Sequence, residues 1–408
     1  MTRTAQDFTV TPEELRLFAS GDFVRSQSRR LYDLALAGKT SFEVHPERLD
    51  RATDRLQTLV QRDYPRGGIP FHSRWVHFQA GGLDRLAKLE ALLSSKTPAE
   101  KARAKLDLAT VSVLLDAGAG PLWSYSEEGR TYSRSEGLAV ASFHAFLKGR
   151  YASNPGSHPL QVDAERLCTL TARDLAEDFQ VRDSNPLVGL ETRAALLNRL
   201  GQALQGKRPG FLWDAWVKHV EEEKKPLRGN DILRSVLLAF SGAWEARVRV
   251  NGLGFGDAWS HPLLSGTRSL SSLIPFHKLS QWLSYSLMEP IQEAGLPFEN
   301  PDDLTGLPEY RNGGLFLDLE ILVPREPGAL AKAYRPEDLF LIEWRALTVA
   351  LLDELAPRVR QRLGVTATEF PLVKLLQAGT WQAGREVAAE KRPGGAPPLN
   401  IESDGTVF

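Results

Sequence analysis

Glu309, Tyr310 and Arg311 stand in three consecutive positions, with Gly306 before them, the Gly313-Gly314 pair after, and a long apolar run beyond. A carboxylate on the lip of an apolar segment is partly desolvated, which raises its pKa, while a neighbouring guanidinium holds it ionised or binds an anion. The competing reading is a turn whose Glu and Arg pair with each other or with helix ends. Other stretches carry related side chains. Pro70 to Phe78 interleaves Phe71, His72, Arg74 and Trp75 with His77 and Phe78, enough to stack on a small planar group and bind a phosphate, or else a packed aromatic core with satisfied histidines. Asp116 ends a helical run and is followed by glycines, Trp123 and Tyr125. Asp257 and His261 lie on a glycine-flanked segment without a third and fourth ligand at metal spacing. Trp381 and Arg385 follow Gly379.

These side chains must be carried by helices. Thr11-Pro12-Glu13-Glu14, Thr97-Pro98 and Ser133-x-x-Glu136 are helix starts, and 3.6-residue periodicity runs over 46–64, 97–116, 133–147, 190–204 and 231–248. Gly118, Gly120, Gly201 and Gly206 fall at or near the ends of such runs. The spacing predicts a further helix over 272–289, stopped by Pro290, with Lys278, Gln281 and Tyr285 on one stripe. A mostly buried helix is expected over 337–363, in which Glu343 and Arg345 form a structural pair or support site residues. Residues 314–323 alternate as a strand would, whereas 150–160, 205–230 and 391–408 read as loops, the last an extended tail. The fold class is therefore all-α with a few short strands, a single helical domain over 1–408 or two packed lobes of about 1–185 and 186–408. No internal repeat is visible.

Composition narrows the functions. The 408 residues are 42% apolar and 25% charged, with a net charge of −1, so there is no global basic field for a nucleic-acid backbone. Cys168 is the single cysteine, expected as an inert buried thiol in a reducing compartment. Neither a signal-peptide core nor a membrane-spanning run is present, and the expected home is cytoplasmic. No GxGxxG, GxxxxGK[ST] or GxSxG pattern occurs in a fitting context. What recurs is carboxylate, Arg, Lys, Tyr and Trp near glycines, a set suited to acid–base chemistry on a small polar substrate.

Five stretches together, Ile69 to Phe78, Leu115 to Trp123, Tyr132 to His144, Gly306 to Gly314 and Asp404 to Phe408, resemble the fungal and bacterial uracil-catabolism family long carried as a domain of unknown function. The resemblance covers nearly the whole chain. It implies a pathway in which a cyclohydrolase-like partner opens the uracil ring and leaves a ribosylurea-type intermediate. A more distant similarity is to queuosine-salvage N-ribohydrolases, related in fold to helix-hairpin-helix DNA glycosylases. Pro275-Phe-His-Lys-Leu-Ser-Gln281, Pro308-Glu-Tyr-Arg-Asn-Gly-Gly314 and Glu343-Trp-Arg-Ala346 follow that family's Pro-Phe-Tyr-Lys-x-Ala-Gln, Ala-Asp-Tyr-Arg-Val-Pro-Gln and Glu-Ile-Arg-Ala in order. This implies a DNA-glycosylase-like helical architecture, with Glu309 in the place of a catalytic aspartate and Lys278 in that of an active-site lysine. Glu for Asp, His277 for Tyr and Asn-Gly-Gly for Val-Pro-Gln imply a differently shaped pocket.

The expected reaction is hydrolysis of the N-glycosidic bond of ribosylurea or its 5′-phosphate, releasing urea. Glu309 and Lys278 are the expected catalytic pair. Phe71, His72, Arg74, Trp75, Asp116, Trp123, Asp257, His277, Tyr310, Arg311, Trp381 and Arg385 are the expected binding residues. The chemistry requires no metal and no organic cofactor, and no nucleic-acid or membrane partner is expected. The alternatives are an amidohydrolase acting on the ureido group and a non-catalytic scaffold for the ring-opening enzyme.

Overall fold

The computed structural model describes residues 6–244, 247–264 and 269–402. The helical reading is borne out, and the strands are short: two-residue to four-residue pieces in two- and three-stranded sheets. The chain divides into two units that interleave along the sequence.

The first unit contains residues 6–72, 247–264, 269–281 and 300–402 among those described. Its axis is the helix Leu339–Leu363, where Leu341, Ile342, Trp344, Leu347, Val349, Leu351, Leu352 and Leu355 are all buried. That nearly all-round apolar surface has neighbours on several sides: the helices Gly21–Leu36, Leu49–Asp63 and Tyr310–Asp318 pack on it. Gly313 permits the last of these contacts, because a Cβ there would stand 2.3 Å from the Trp344 ring. Gly384 likewise lets the helix Trp381–Lys391 lie against the Arg311 backbone. Ala258–Ser260 pairs antiparallel with Leu273–Pro275, Ala258 opposite Pro275. The ladder brings Asp257 level with the entry to the helix Lys278–Glu293.

The second unit contains 73–244 and 282–299. The helix Pro98–Leu114 is buried over most of its surface and packs on Arg134–Leu147 and Phe211–Glu223. The hairpin Ser124–Glu127 with Arg130–Ser133 turns through Glu128 and Gly129, both at positive φ, the backbone a two-residue hairpin favours.

Local signals gave reliable starts. Thr11 and Thr97 each form a capping box, with Glu14 and Glu100 reaching back to the cap backbone. Several expectations are corrected. The run over 272–289 starts as a strand and becomes helical only at Lys278, because residues 273–275 take a sheet partner. Pro290 lies inside that helix instead of ending it. Its missing N–H frees the Ser286 carbonyl, which accepts instead from the Trp75 indole at 2.7 Å. Residues 211–223, within a stretch read as loop, are helical and bury Leu212, Trp213 and Trp216, with the charged run on the opposite face. The run over 231–248 stops at Ala239. Residues 310–318 form a helix, leaving only Leu322–Pro324 as strand. Gly201 lies in the last turn of the helix Leu190–Leu204, near its end as expected, pressed on the Ala164 carbonyl and Cys168. Cys168 itself is exposed, not buried. The extended tail is seen as Asn400–Ile401 pairing with Ala333–Tyr334, and Asp404 to Phe408 lie outside the described residues.

Candidate active site

Glu309 is the N-cap of the helix Tyr310–Asp318. Its Oε2 accepts from the Arg311 N–H at 2.8 Å and its Oε1 from the Asn312 N–H at 2.6 Å. The residue is only 7% exposed. Burial pushes its pKa up, against the two backbone N–H groups and the nearby charges of Lys278 and Arg311. Burial and the two backbone donors act in opposite directions on this carboxylate, and the helix N-terminus it caps favours negative charge there. Asn312 Nδ2 donates to the Leu307 carbonyl at 3.0 Å, and Arg345 Nε to that of Pro308 at 3.4 Å, which tie down the approach to Glu309.

Lys278, half-buried, begins its own helix. Its backbone N–H donates to Asp257 Oδ2 at 3.0 Å. Asp257 therefore caps this helix, and its backbone carbonyl also receives the Phe276 N–H at 2.9 Å. Arg345 forks onto the same carboxylate, Nη1 and Nη2 each at 2.7 Å, while the Trp259 indole donates at 2.8 Å. Burial would raise the Asp257 pKa, but Arg345 and the added donors overcome it and hold it at about 2. The Arg345 guanidinium lies 4.1 Å over the Phe276 ring. Asp257 is thus a permanent anion that fixes where Lys278 starts. His277, between them, adopts a left-handed backbone with φ of 49°. Its Nε2–H donates to the Phe18 carbonyl at 3.2 Å, and burial pulls its pKa down to about 4. It is a neutral positioning residue at the helix entry.

Arg311 lies against the Tyr310 ring, 5.1 Å from its centre, and Nη1 donates to the Gly395 carbonyl at 3.0 Å. In the same unit His72 Nδ1 pairs with Gln377 Oε1 at 3.0 Å, its ring 6.1 Å from Trp381, over which Arg385 stacks at 4.8 Å. Phe71 beside it is half-buried. The second unit brings Arg74 and Asp116 together: Arg74 Nη1 stands 3.1 Å from Asp116 Oδ1, and Nε donates to Ser112 Oγ at 2.6 Å.

The full length of this arrangement has relatives. A family model described as a protein of unknown function, DUF1688, matches residues 17–408. The chain belongs to the DUF1688 family. Protein urg3 of Schizosaccharomyces pombe is 40% identical over 375 residues, covering 90% of this chain and 92% of that protein. Uracil catabolism protein 4 of Lachancea kluyveri is 37% identical over 435 residues, covering 96% and 98%.

Within this DUF1688 member the remaining candidates take other places. Trp75 and Phe78 pack edge to face, with Phe143 beyond, and Trp123 donates its indole N–H to the Phe179 carbonyl at 2.9 Å in the core of its unit. Glu343 and Arg345 do not serve one pair: Glu343 accepts from the Ser41 N–H at 2.8 Å and meets His261 Nε2 at 3.3 Å, whereas Arg345 serves Asp257. Residues two apart on a helix face different directions, which accounts for the split. Among the described residues no group of three or more His, Cys, Asp or Glu side chains is gathered to hold a metal ion. No helix among them is long and apolar enough to cross a membrane.

Sequence reasoning passed over Glu289 in this family member. Ser73 Oγ donates to its Oε1 at 2.5 Å, and burial, with the like charge of Glu293, pushes its pKa to about 7. The only signal was its place after the apolar stripe of the Lys278 helix, directly before Pro290. Arg345 was noticed as a buried charge and Asp257 as a binding candidate, but their pairing across 88 positions was not.

Proposed function

We propose that this protein acts in uracil catabolism by hydrolysing the N-glycosidic bond of ribosylurea or ribosylurea 5′-phosphate. Water adds to the anomeric carbon, the bond to the ureide nitrogen breaks, and that nitrogen takes up a proton, giving urea and ribose or ribose phosphate. The observation that carries this reading is Glu309, a buried carboxylate fixed by two backbone N–H groups at a helix N-terminus with the Lys278 charge acting on it. The name of the Lachancea kluyveri relative supports the pathway.

The reaction needs a negative charge beside a ribosyl cation and a base for water, while the poor urea leaving group needs a proton. Glu309 meets the first two needs from one position: as an anion it offsets the developing oxocarbenium charge, and its burial-raised pKa lets it take the water's proton. Lys278 is the proton source or anion partner on the same carboxylate's neighbourhood, set in place through Asp257 and Arg345. Arg311 serves the same anionic end.

The test is incubation of the purified protein with each compound, following free urea by mass spectrometry, with Glu309→Gln alongside. Urea release is expected, falling by about 10²- to 10⁴-fold in the variant, the usual share of a positioned acid or base. Ammonia and carbon dioxide in place of urea would mean attack on the ureido carbon. No turnover of either compound by the intact protein sinks the hydrolase reading and favours a scaffold for the ring-opening enzyme.

A further inference from the structure

Within the first unit, the start of the Lys278 helix and the approach to Glu309 are joined through Gln281, a residue with no part yet in the proposed chemistry. Gln281 stands one turn beyond Lys278 and is fully buried. Its Oε1 accepts from the Thr305 backbone N–H at 2.8 Å, and its Nε2 donates to the Thr305 hydroxyl and to the Phe276 carbonyl, each at 2.9 Å. The amide can sit only this way round, because the Phe276 carbonyl can only accept and the Thr305 N–H can only donate. At one end it takes up the carbonyl at the corner where strand gives way to helix, just before the left-handed His277. At the other it grips Thr305, itself fully buried, whose hydroxyl also lies 3.1 Å from the Gly306 carbonyl.

Thr305 is four residues before Glu309, and the chain between them has little freedom to absorb a shift. A Cβ on Gly306 would stand 2.4 Å from the Leu352 side chain. The Leu307 carbonyl accepts from the Glu309 N–H at 2.9 Å and from Asn312 Nδ2 at 3.0 Å, and the ring of Pro308 fixes its own φ. A displacement at Thr305 is therefore passed on to Glu309. Arg345 spans the same gap, but unevenly: it holds Asp257 with two bonds of 2.7 Å and meets the Pro308 carbonyl only at 3.4 Å, near the limit of hydrogen bonding. Arg345 thus fixes where the Lys278 helix begins more firmly than how far Glu309 stands from it.

We infer that Gln281 is a positioning residue: by gripping Thr305 it sets the separation between Lys278 and Glu309. The inference rests on the reading of those two as the reacting pair and adds to it the side chain that spaces them.

The test uses the full chain, with urea release for the kinetics and carboxyl NMR of isotope-labelled glutamate for Glu309, whose signal is the one lost in Glu309→Gln. The charges of Lys278 and Arg311 both draw that titration to lower pH. Gln281→Met keeps the length of the side chain and removes its three hydrogen bonds to Thr305 and Phe276. It is expected to lower kcat about 10- to 100-fold with KM unchanged, the scale of a reacting group misplaced by about 1 Å. The Glu309 titration midpoint is expected to move to higher pH as Lys278 draws away. Thr305→Val is expected to act in the same direction more weakly and Thr305→Ser to restore both readings, and this pair stands in should Gln281→Met fail to fold. A lower Tm with kcat and midpoint unchanged in the folded variants means that Gln281 only holds the fold together, and overturns the inference. Absence of urea release by the unmodified protein ends the hydrolase reading separately. The NMR midpoint then decides the placement by itself: a shift in the variants upholds the spacing role of Gln281, and no shift overturns it.

Discussion

Each unit of the molecule buries an aspartate against an arginine, and the two pairs are built differently. Asp257 and Arg345 meet through two hydrogen bonds, and Trp259 and the Lys278 backbone take up further lone pairs of the carboxylate. Asp116 and Arg74 meet through one contact, with donors and a lone pair left over. Removing two charges from water is repaid only when geometry and accessory hydrogen bonds are nearly complete. The first pair meets that standard and has little capacity left for a ligand; it is a fixture that sets the start of a helix. The second falls short of it. Saturation, more than burial, separates the two pairs.

Breaking the saturated pair should be the costlier act. Arg345→Met leaves Asp257 charged in a desolvated place, with an expected loss of about 3–5 kcal/mol, read as a large fall in Tm or in the guanidinium midpoint. A loss under 1 kcal/mol would mean that Asp257 is far better solvated than its surroundings suggest.

Acid titration gives a finer measure of the same pair. The folded pKa of Asp257, about 2, lies below its ordinary value of 3.8. Its stabilisation is therefore complete above about pH 4 and is lost as pH falls towards 2, an effect on the order of 2 kcal/mol. Stability curves of the protein and of Asp257→Asn should converge over that window, and parallel curves would count against the pair.

Breaking the unsaturated pair should cost least. Arg74→Met is expected to lower stability by about 1–2 kcal/mol, since Asp116 keeps the field of Arg193. If it destabilises as much as Arg345→Met, the contrast between the pairs disappears.

The sequence revealed what is local. Thr11 and Thr97 cap their helices through side chains three residues from their partners, so the signal and the structure share a window. The two backbone N–H donors to Glu309 are equally local, two and three residues along. What was hidden depends on distant chain. The Lys278 helix starts late because residues 273–275 find a strand partner, and Pro290 is tolerated because Trp75 supplies the hydrogen bond that proline vacates. Neither the role of Asp257 nor the deficit at Arg74 can be read without knowing which segments meet. Cys168 shows the converse: a residue type usually buried takes the open face of a short helix.

Gly313 gives the proposed catalytic carboxylate a tolerance. One helical turn beyond Glu309, its missing methyl lets an indole ring occupy the space, and an added carbon would meet that ring at 2.3 Å. The standoff between the two helices is thus gauged by a void in one side chain, and Glu309 rides on the nearer helix like a pointer on a lever. Evolution has little freedom to adjust that pointer from the solvent side; any retuning of its position has to pass through the layer of Gly313, Trp344 and Thr348 behind it.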